Sequence, residues 1–339
     1  MITTPDGGGA TIAQIAELAG VSVATVSKVV NGRADVAPDT RAAVWSVIHE
    51  HGYRRQKKKA NRATLVELLL HEVKGPYGME VIKGVERVAV EHQLALVVSE
   101  LEARPAPGRN WIEAVIGRRP TGVVAVFAGP ARAQLDQLRN RGIPLAIVDP
   151  IGEPDPDLPS ATGDNWGGGL AATRHLLRLG HRRIAAITGP PLSLPSRARL
   201  DGYRAALETA GIAFDPDLVR EGGFHLENGL AHGLDLLTRP TPPTAVFAFN
   251  DAQAIGVYQA AHRLGLRIPE DLSVVGFDDL PTATWAIPAL TTVRQPLRDM
   301  AATATRMVID LAHGTTPTTH RSVFATELVV RASTAPPAT

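Results

Sequence analysis

Apolar residues recur at two different spacings along this chain, and the change falls early. They first recur every three or four positions behind Thr11, which predicts an N-capped helix over 12–18. Gly20 supplies the left-handed residue that a sharp turn between helices requires. Ser22 is the predicted N-cap of a second helix, and Pro38 is the predicted first residue of a third. Two short helices joined by a tight turn and braced by a third predict a helix-turn-helix head.

From residue 65 onward, apolar runs of strand length alternate with stretches of helical periodicity. The predicted strands are 65–70, 95–98, 122–127, 145–148, 183–187, 245–249 and 272–277. The predicted helices between them include 81–92, 132–141, 168–179 and 199–210. Repeated β-α units at this spacing imply parallel sheets, and two sets of units imply two lobes. The predicted fold class is α/β, with an all-α helix-turn-helix head followed by a two-lobed region of parallel sheets.

The outer face of the predicted second helix carries small and cationic side chains, which are Val23, Ala24, Ser27 and Lys28. A helix this slim fits a major groove, which is about 12 Å wide. The short hydrogen-bonding residues placed to reach phosphates are Ser22, Thr25 and Asn31. The face therefore favours DNA binding over the alternative, a small helical bundle without a nucleic-acid function.

Charge is distributed unevenly, although the net charge of the chain is only +1. Residues 1–63 hold nine Lys or Arg against five Asp or Glu, so the head is about +4 and the remainder about −3. This asymmetry suggests that the head meets a polyanion.

Two adjoining stretches, TIAQIAELAGVSVATVSKVVNG (11–32) and APDTRAAVWSVIHEHGYR (37–54), closely resemble the headpiece of LacI/GalR-type repressors. The resemblance implies that Val23, Ala24 and Lys28 read bases: Lys28 by donating to guanine, the other two by touching a thymine methyl. It also implies a palindromic double-stranded operator read by a homodimer formed through the sensor lobes. The expected DNA-contacting residues are Thr11, Ser22, Val23, Ala24, Thr25, Ser27, Lys28, Asn31, Tyr53, Arg54 and Lys57.

The linker over 54–64 departs from this family. The usual proline is replaced by Arg55, and the leucine that wedges into the minor groove is absent, so strong operator bending is not expected. Six cations in nine residues over 54–62 instead suggest a basic arm held by phosphates or a narrow minor groove. A solvated linker that is disordered in the free protein is the alternative, and the two are compatible because such arms often order on binding.

The resemblance continues through the sensor, which is similar to the family's effector-binding domain and to periplasmic sugar-binding proteins. The stretches that carry it are LLRLGHRRIAAITGP, SRARLDGYRAAL, AFNDAQAIGV, IPEDLSVVGFDDL and PALTTVRQP. It implies lobe crossings near 161–164, 289–293 and 319–323. The expected domains are the head (1–53), the linker (54–64) and the sensor (65–339), with a first lobe of about 65–161 and 290–321 and a second of about 162–289 and 322–334.

Ligands in open α/β sheets bind at the carboxyl ends of strands, where this chain has several polar and aromatic residues. Tyr77 is expected in the loop after the first strand, and Arg199 at the opening of a helix. Together with matches to the family's motifs, this gives the expected effector-contacting residues Tyr77, Asp149, Arg199, Phe224, Asn250, Asp278, Trp285 and Gln295. Asp251 is expected to cap the following helix, and Asp279 to bond backbone.

Carboxylates, an amide, an arginine and aromatic faces are what a pyranose or furanose requires, so a mono- or disaccharide is the expected effector. Ser193 and Pro195 stand where nucleobase-sensing relatives carry hydrogen-bond donors, which argues against a purine. The predicted function is a repressor released by a sugar. The alternative is a co-repressor-dependent regulator that senses a non-sugar metabolite.

Several other functions are disfavoured by what the sequence lacks. It has no cysteine, no HExxH or clustered histidines, no phosphate-binding glycine loop and no cofactor motif, so neither an enzyme nor a metal site is expected. No run of 18 apolar residues and no charged-then-apolar leader are present, which predicts a cytoplasmic protein with no membrane partner and argues against an exported solute-binding protein. No leucine heptad follows Ser333, so a tail-driven tetramer is not expected.

Overall fold

The structure, a computed structural model, describes residues 11–30, 36–51, 63–73, 75–101, 109–127, 131–152, 155, 157–316 and 319–338. The chain divides into two compact units, Met1–Asn61 and Arg62–Thr339, which are called the head and the sensor below.

The head contains the three predicted helices, which are α1 (Ile12–Leu18), α2 (Val23–Val30) and α3 (Pro38–His51). The hydroxyl of Thr11 accepts a hydrogen bond from the backbone N–H of Gln14 at 3.3 Å, and Gly20 has a φ of +66°. The predicted cap and left-handed turn are therefore confirmed. The apolar faces of the three helices meet in one cluster of buried residues, which are Ile15, Ala16, Val26, Val29, Val44 and Ile48.

The sensor alternates strands and helices almost throughout. Its elements, in chain order, are β1 (Leu65–Leu70), α4 (Gly75–Glu91), β2 (Ala95–Glu100), α5 (Arg109–Arg118), β3 (Gly122–Val126), α6 (Arg132–Asn140), β4 (Leu145–Val148), β5 (Ser160–Gly163), α7 (Asn165–Arg178), β6 (Ile184–Thr188), α8 (Leu194–Thr209), β7 (Val219–Glu221), α9 (Leu226–Leu237), β8 (Ala245–Ala248), α10 (Asp251–Arg263), β9 (Ser273–Asp278), α11 (Pro281–Trp285), β10 (Thr291–Arg294), α12 (Leu297–His313), β11 (Arg321–Phe324) and β12 (Glu327–Val329).

These elements form two six-stranded sheets, one in each lobe, which confirms the predicted α/β class. The first lobe has the strand order β11-β5-β4-β3-β1-β2, and its paired strands are all parallel. The second has the order β12-β10-β9-β8-β6-β7, in which only the pairing of β12 with β10 is antiparallel. Central strands such as β3 and β6 are buried along their whole length, because helices cover both faces of a parallel sheet.

All seven predicted strands are present, with ends within two residues of the prediction. Three of the four predicted helices begin three to six residues earlier than expected, since their first turns hold Gly, Pro or Asn, which weaken the apolar pattern. Five short strands went unpredicted: β5, β7, β10, β11 and β12. Each has only three or four residues and contains polar side chains, unlike the equally short but wholly apolar β4 and β8, which were predicted.

The chain passes between the two sheets three times. It leaves the first sheet after Gly163, returns after Arg294 and leaves again after Phe324. The crossings expected at 289–293 and 319–323 are therefore a few residues too early. The reason is that β10 pairs with β9 in the second sheet, and β11 pairs with β5 in the first.

Within the described residues, no single helix is long and apolar enough to cross a membrane. Helices α1 and α2 meet that criterion only when they are joined, and they are bent by 107° at the turn between them.

Candidate functional site

The head presents one face of α2 outward. Val26 and Val29 are buried in the core, whereas Val23, Ala24 and Lys28 lie on the exposed side, with Val23 47% exposed. The 3.6-residue period of the helix produces this division, so the small side chains and the lysine share a single face. This is the arrangement that a helix entering a major groove requires.

A shallow groove lies beside this face, between α2 and the beginning of α3. It is lined by Ser22, Thr25, Lys28 and Thr40 among others. The hydroxyl of Ser22 caps α2 by accepting from the backbone N–H of Thr25 at 3.1 Å, and it also contacts the Thr25 hydroxyl at 2.8 Å. Thr11 and Ser22 thus have local capping roles, and their contact with DNA stays a prediction.

Four expected DNA-contacting residues, Asn31, Tyr53, Arg54 and Lys57, lie outside the described residues, as does all but the end of the linker. Ser27 is half-buried on α2 beside the exposed face.

The sensor has a cleft of about 490 Å³ between its two lobes, at the carboxyl ends of the strands. Tyr77 and Phe127 line it from the first lobe. The second lobe contributes four of the expected residues, which are Arg199, Phe224, Asn250 and Asp278. Five of the eight expected effector-contacting residues therefore lie together on the walls of one cleft.

The backbone has an unusual left-handed conformation at several residues in or next to the cleft. Phe127, Asp149, Phe224 and Asp278 have φ values of 47°, 52°, 67° and 116°, which non-glycine residues rarely adopt. Such strain clusters at functional sites, where the surrounding fold holds the backbone in place. At Phe224 the turn seats the ring against Gly189, where a Cβ would collide with it.

Three aromatic rings form a continuous wall of the cleft. The ring centroids of Tyr77 and Phe127 are 5.2 Å apart, and those of Phe127 and Phe224 are 6.0 Å apart. Tyr77 and Phe127 belong to the first lobe and Phe224 to the second, so the wall spans both lobes.

Behind this wall, the buried carboxylate of Asp149 is held by two hydroxyls. The Tyr77 hydroxyl donates to Oδ2 at 2.8 Å, and the Thr162 hydroxyl donates to Oδ1 at 2.7 Å. Burial raises the pKa of Asp149, and the two hydrogen bonds offset this shift only in part. Burial beside Asp149 likewise raises the pKa of Tyr77 well above its usual value. Asp149 thus supports Tyr77 rather than lining the cleft itself.

Arg199 occupies the base of the cleft and is only 2% exposed. Its guanidinium lies 3.6 Å from the centroid of the Phe277 ring, Nε donates to Oδ1 of Asn165 at 2.8 Å, and Nη1 donates to the carbonyl of Phe249. A Cβ on Gly169 would collide with the Arg199 backbone. Glycine at this position therefore allows α7 to pack directly against α8. Burial lowers the pKa of Arg199, and the nearby carboxylates counteract that shift.

Asp278 faces Arg199 across a gap of 4.0 Å between Oδ1 and Nη2. Its Oδ1 also accepts from the Nε2 amide of Gln295 at 2.6 Å. Burial raises the pKa of Asp278 to about 7, although Arg199 and Gln295 both favour the charged form. Gln295 therefore orients the Asp278 carboxylate without lining the cleft itself.

Several expectations about individual residues are wrong. Tyr77 lies in the first turn of α4 rather than in a loop, and Arg199 lies inside α8 rather than at its opening. Asn250, not Asp251, is the N-cap of α10. Asp251 instead accepts from the backbone N–H of Leu280 at 2.7 Å and from the Thr292 hydroxyl at 2.5 Å.

Two more expected residues have surroundings that differ from the prediction. Asp279 forms ion pairs with Arg294 and Arg331, both at 2.6 Å, rather than bonding backbone. Trp285 is 72% exposed on α11 and does not line the cleft.

Other residues of the cleft were not predicted. Phe127 ends a strand that was predicted, so its position at a carboxyl end is a signal that could have identified it. Glu72 and His225 lie at the mouth on opposite lobes, with His225 Nδ1 3.7 Å from Glu72 Oε2. Asn165 follows β5, a short strand without a clear pattern, so no sequence signal marked it.

Among the described residues, no group of three or more His, Asp or Glu side chains could hold a metal ion.

Two family models match the chain. The model of bacterial regulatory proteins of the lacI family matches residues 11–56, and that of the periplasmic binding protein-like domain matches residues 173–334. The HTH-type transcriptional regulator DegA of Bacillus subtilis is 32% identical over 335 residues, covering 96% of this chain and 98% of its own. The HTH-type transcriptional repressor PurR of Edwardsiella ictaluri is 35% identical over 307 residues, covering 89% and 90%.

Two solved structures are similar to this chain over nearly its whole length. A complex of the transcriptional regulator CelR with cellobiose is 33% identical, covers 96% of this chain and 99% of its own, and has a TM-score of 0.73. The lac repressor dimer bound to operator and the anti-inducer ONPF is 26% identical, covers 96% and 99%, and has a TM-score of 0.70. These relatives are transcriptional regulators, not enzymes. With a matching head, a matching sensor and relatives alike over nearly its whole length, the chain belongs to the LacI family of transcriptional regulators.

Proposed function

We propose that the protein is a homodimeric repressor that binds a palindromic operator through α2 and is released from it by a sugar bound in the cleft. Two recognition helices related by a dimer axis would read two half-sites. A tenfold change in operator affinity requires a coupling free energy of only about 1.4 kcal/mol between cleft and head.

The observation that carries the sugar assignment is the pairing of an aromatic wall with buried polar groups. The rings of Tyr77, Phe127 and Phe224 offer faces for the C–H side of a pyranose. Asp278 and Arg199 offer an acceptor and a donor for hydroxyls at the base of the same cleft. The likeness to the CelR–cellobiose complex supports the same class of ligand.

The position of Ser193 further supports a sugar over a nucleobase. Ser193 lines the cleft and is 2% exposed, and its hydroxyl caps α8 by accepting from the backbone N–H of Ser196 at 3.3 Å. Because this cap uses an acceptor lone pair, Ser193 can offer a ligand only a single O–H donor, whereas a base edge is commonly read by a pair of donors or acceptors.

A regulator whose DNA binding is promoted by a non-sugar metabolite is the second candidate. The cleft is also lined by Leu70, Val126, Ile151 and Leu280, and an apolar lining of this kind suits a flat heterocycle. The relatives named as the repressors PurR and CytR, at 35% and 31% identity, are consistent with this candidate.

The two lobes already touch at the rim of the cleft, which suggests how a ligand would act. The backbone N–H of Gly152 donates to the carbonyl of Leu192 at 2.8 Å, and Ile151 and Ser193 form a β-bridge. A ligand that binds residues of both lobes would favour one lobe orientation, and thereby one separation of the two heads.

The test combines binding and release. Duplexes selected from a random pool would define the operator, and a thermal-shift screen of mono- and disaccharides, purines and nucleosides would define the effector, since a ligand at 100 times its Kd adds about 2.7 kcal/mol of stability. We expect a sugar to stabilise the protein and to weaken operator binding. Tighter operator binding with a purine or nucleoside would favour the second candidate, and no preference for any duplex would refute both.

Asp278→Ala provides the residue-level test of the cleft. Because Asp278 is buried and would accept from a sugar hydroxyl, we expect its loss to weaken binding of the identified effector by about 1.5–3 kcal/mol while operator binding without effector persists. Calorimetry showing unchanged effector affinity would exclude this contact.

We also propose that the basic linker binds DNA backbone. Replacing Lys57, Lys58 and Lys59 by alanine should flatten the dependence of log affinity on log salt by nearly 0.9 for each phosphate that the linker no longer neutralises. An unchanged slope would show that these lysines do not contact phosphates.

A further inference from the structure

Carboxyl side chains outnumber Lys and Arg side chains in the described lining of the cleft, to which the histidines His71 and His225 also belong. Glu72, Glu227 and Asp278 line it, and Asp149 lies directly behind Tyr77. Arg199 is the one Lys or Arg side chain among the described residues that line it. Lys74, which follows β1 in the sequence, lies outside the described residues.

Part of the hydrogen-bonding capacity of Arg199 is already used by the protein. Two of its three nitrogens donate to protein acceptors, Nε to Asn165 and Nη1 to the Phe249 carbonyl. The third, Nη2, lies 4.0 Å from Asp278. Recognition of a phosphate or carboxylate by arginine commonly uses two parallel N–H donors. Because Nε is bound to Asn165, the remaining pair consists of the second hydrogen of Nη1 and one hydrogen of Nη2, and Asp278 lies beside Nη2.

The helix N-termini around the cleft are neutralised only in part. Helix N-termini attract anions because of their exposed N–H groups and positive dipole ends. Here α7 has the carboxylate of Asp164 as its N-cap, and α9 and α10 have Glu227 and Asp251 in their first turns. Glu227 is the one of these carboxylates that lines the cleft, whereas α4 and α8, whose N-terminal residues also line it, have no acidic residue in their first turns.

We propose that the cleft selects its effector by charge, so that it accepts an uncharged sugar and excludes sugar phosphates and uronic acids. This inference rests on the proposed function and narrows it. An incoming anion would meet Glu72, Glu227 and the ionised form of Asp278, with Arg199 as the one described Lys or Arg of the lining to compensate, in a site where burial weakens screening by solvent.

The test compares neutral sugars with anionic counterparts of the same ring. Thermal shift and calorimetry on the full-length protein would use glucose with glucose 6-phosphate, galactose with galacturonate, and cellobiose with cellobiose 6-phosphate. For any pair whose neutral member binds, we expect the anionic member to bind at least about tenfold more weakly, a difference of about 1.4 kcal/mol. An anionic member that binds as tightly as its neutral partner, whether through Lys74 or another group, would overturn the proposal.

Variants at Glu72 give a second reading. Its side chain is 19% exposed at the mouth, so a lysine there can reach solvent and Glu72→Lys should preserve folding. We expect Glu72→Lys to reduce the ratio of the affinity for the neutral sugar to that for its anionic counterpart. The size-matched Glu72→Gln should reduce this affinity ratio less. The same affinity ratio in both variants and in the wild type would contradict selection by charge.

A third arm separates this inference from the sugar proposal. If no sugar binds, the proposed function fails, and inorganic phosphate then tests the cleft alone at an ionic strength matched with chloride. Phosphate is expected to stabilise Glu72→Lys more than wild type. Equal stabilisation of both proteins, or stabilisation of wild type that Arg199→Gln abolishes, would overturn the charge proposal.

Discussion

The head and the cleft are built in opposite ways, although each presents a small set of functional side chains. In the head, Val23, Ala24 and Lys28 lie within six consecutive residues of one helix, and the core they stand on is formed by three short helices. In the cleft, Tyr77, Arg199 and Asp278 come from different elements of two lobes and are tied together by buried hydrogen bonds.

This difference predicts that a substitution can change function without changing stability in the head, but not in the cleft. An exposed residue on α2 can change without disturbing the head core. A buried residue of the cleft supports its neighbours as well as a ligand, so its loss affects both folding and binding. Four substitutions test this contrast, in decreasing order of the expected effect.

Arg199→Ala should produce the largest effect, a loss of about 3–5 kcal/mol in the free energy of unfolding, because it leaves the buried Asp278 without its cation. Denaturant unfolding measures this loss. The matched control is Arg204→Ala, since Arg204 also lies over an aromatic ring, 4.5 Å from the Phe214 centroid, but at the surface. A similar loss in both variants would remove the distinction between cleft and surface arginines.

Asp278→Asn should change the pH dependence of stability. Because the pKa is raised to about 7 in the folded protein and is about 3.9 in an unfolded chain, the folded protein binds more protons between about pH 4 and pH 7. The stability of the wild type should therefore fall relative to the variant as pH rises through this window, by at most about 1.4 kcal/mol per pH unit.

Unfolding titrations at several pH values measure this slope, with Asp201→Asn, an exposed aspartate, as the control. Parallel pH profiles for wild type and Asp278→Asn would mean that Asp278 titrates as an ordinary carboxylate.

Lys28→Ala should cost about 1–3 kcal/mol of operator binding and little of non-specific binding, since the variant can no longer bind a base edge while most phosphate contacts remain. Its exposed position predicts only a small change in stability. Fluorescence anisotropy on operator and random duplexes measures the difference, with the sensor lysine variant Lys83→Ala as the control. Equal losses of affinity on both duplexes would refute base reading by Lys28.

Ser22→Ala should have the smallest effect, about 1 kcal/mol of head stability, through loss of the N-cap of α2. Thermal unfolding measures it, and Ser22→Asn should retain most of the stability because asparagine also caps well. A head destabilised equally by both variants would assign the hydroxyl a role other than capping.

The cleft could be predicted only in part. Phe224, Asn250 and Asp278 were identified because they follow strands or match family motifs, and the parallel topology gathers strand ends at one edge. Trp285 was misplaced because adjacency to a lobe crossing does not reveal which way a side chain points. Thr162 was missed because it lies in a four-residue strand that has no apolar alternation, and Asn165 because it begins the helix that follows this unpredicted strand.

The sequence by itself determined the head, the order of strands and helices and the family, because helical periodicity, capping residues and β-α alternation are local properties. Tertiary structure alone decided that the Arg199 guanidinium stacks on Phe277 and that Asp149 supports Tyr77 from behind. It also decided where β10 and β11 belong. These contacts join residues far apart in the chain, and their energies depend on burial, which no local pattern encodes.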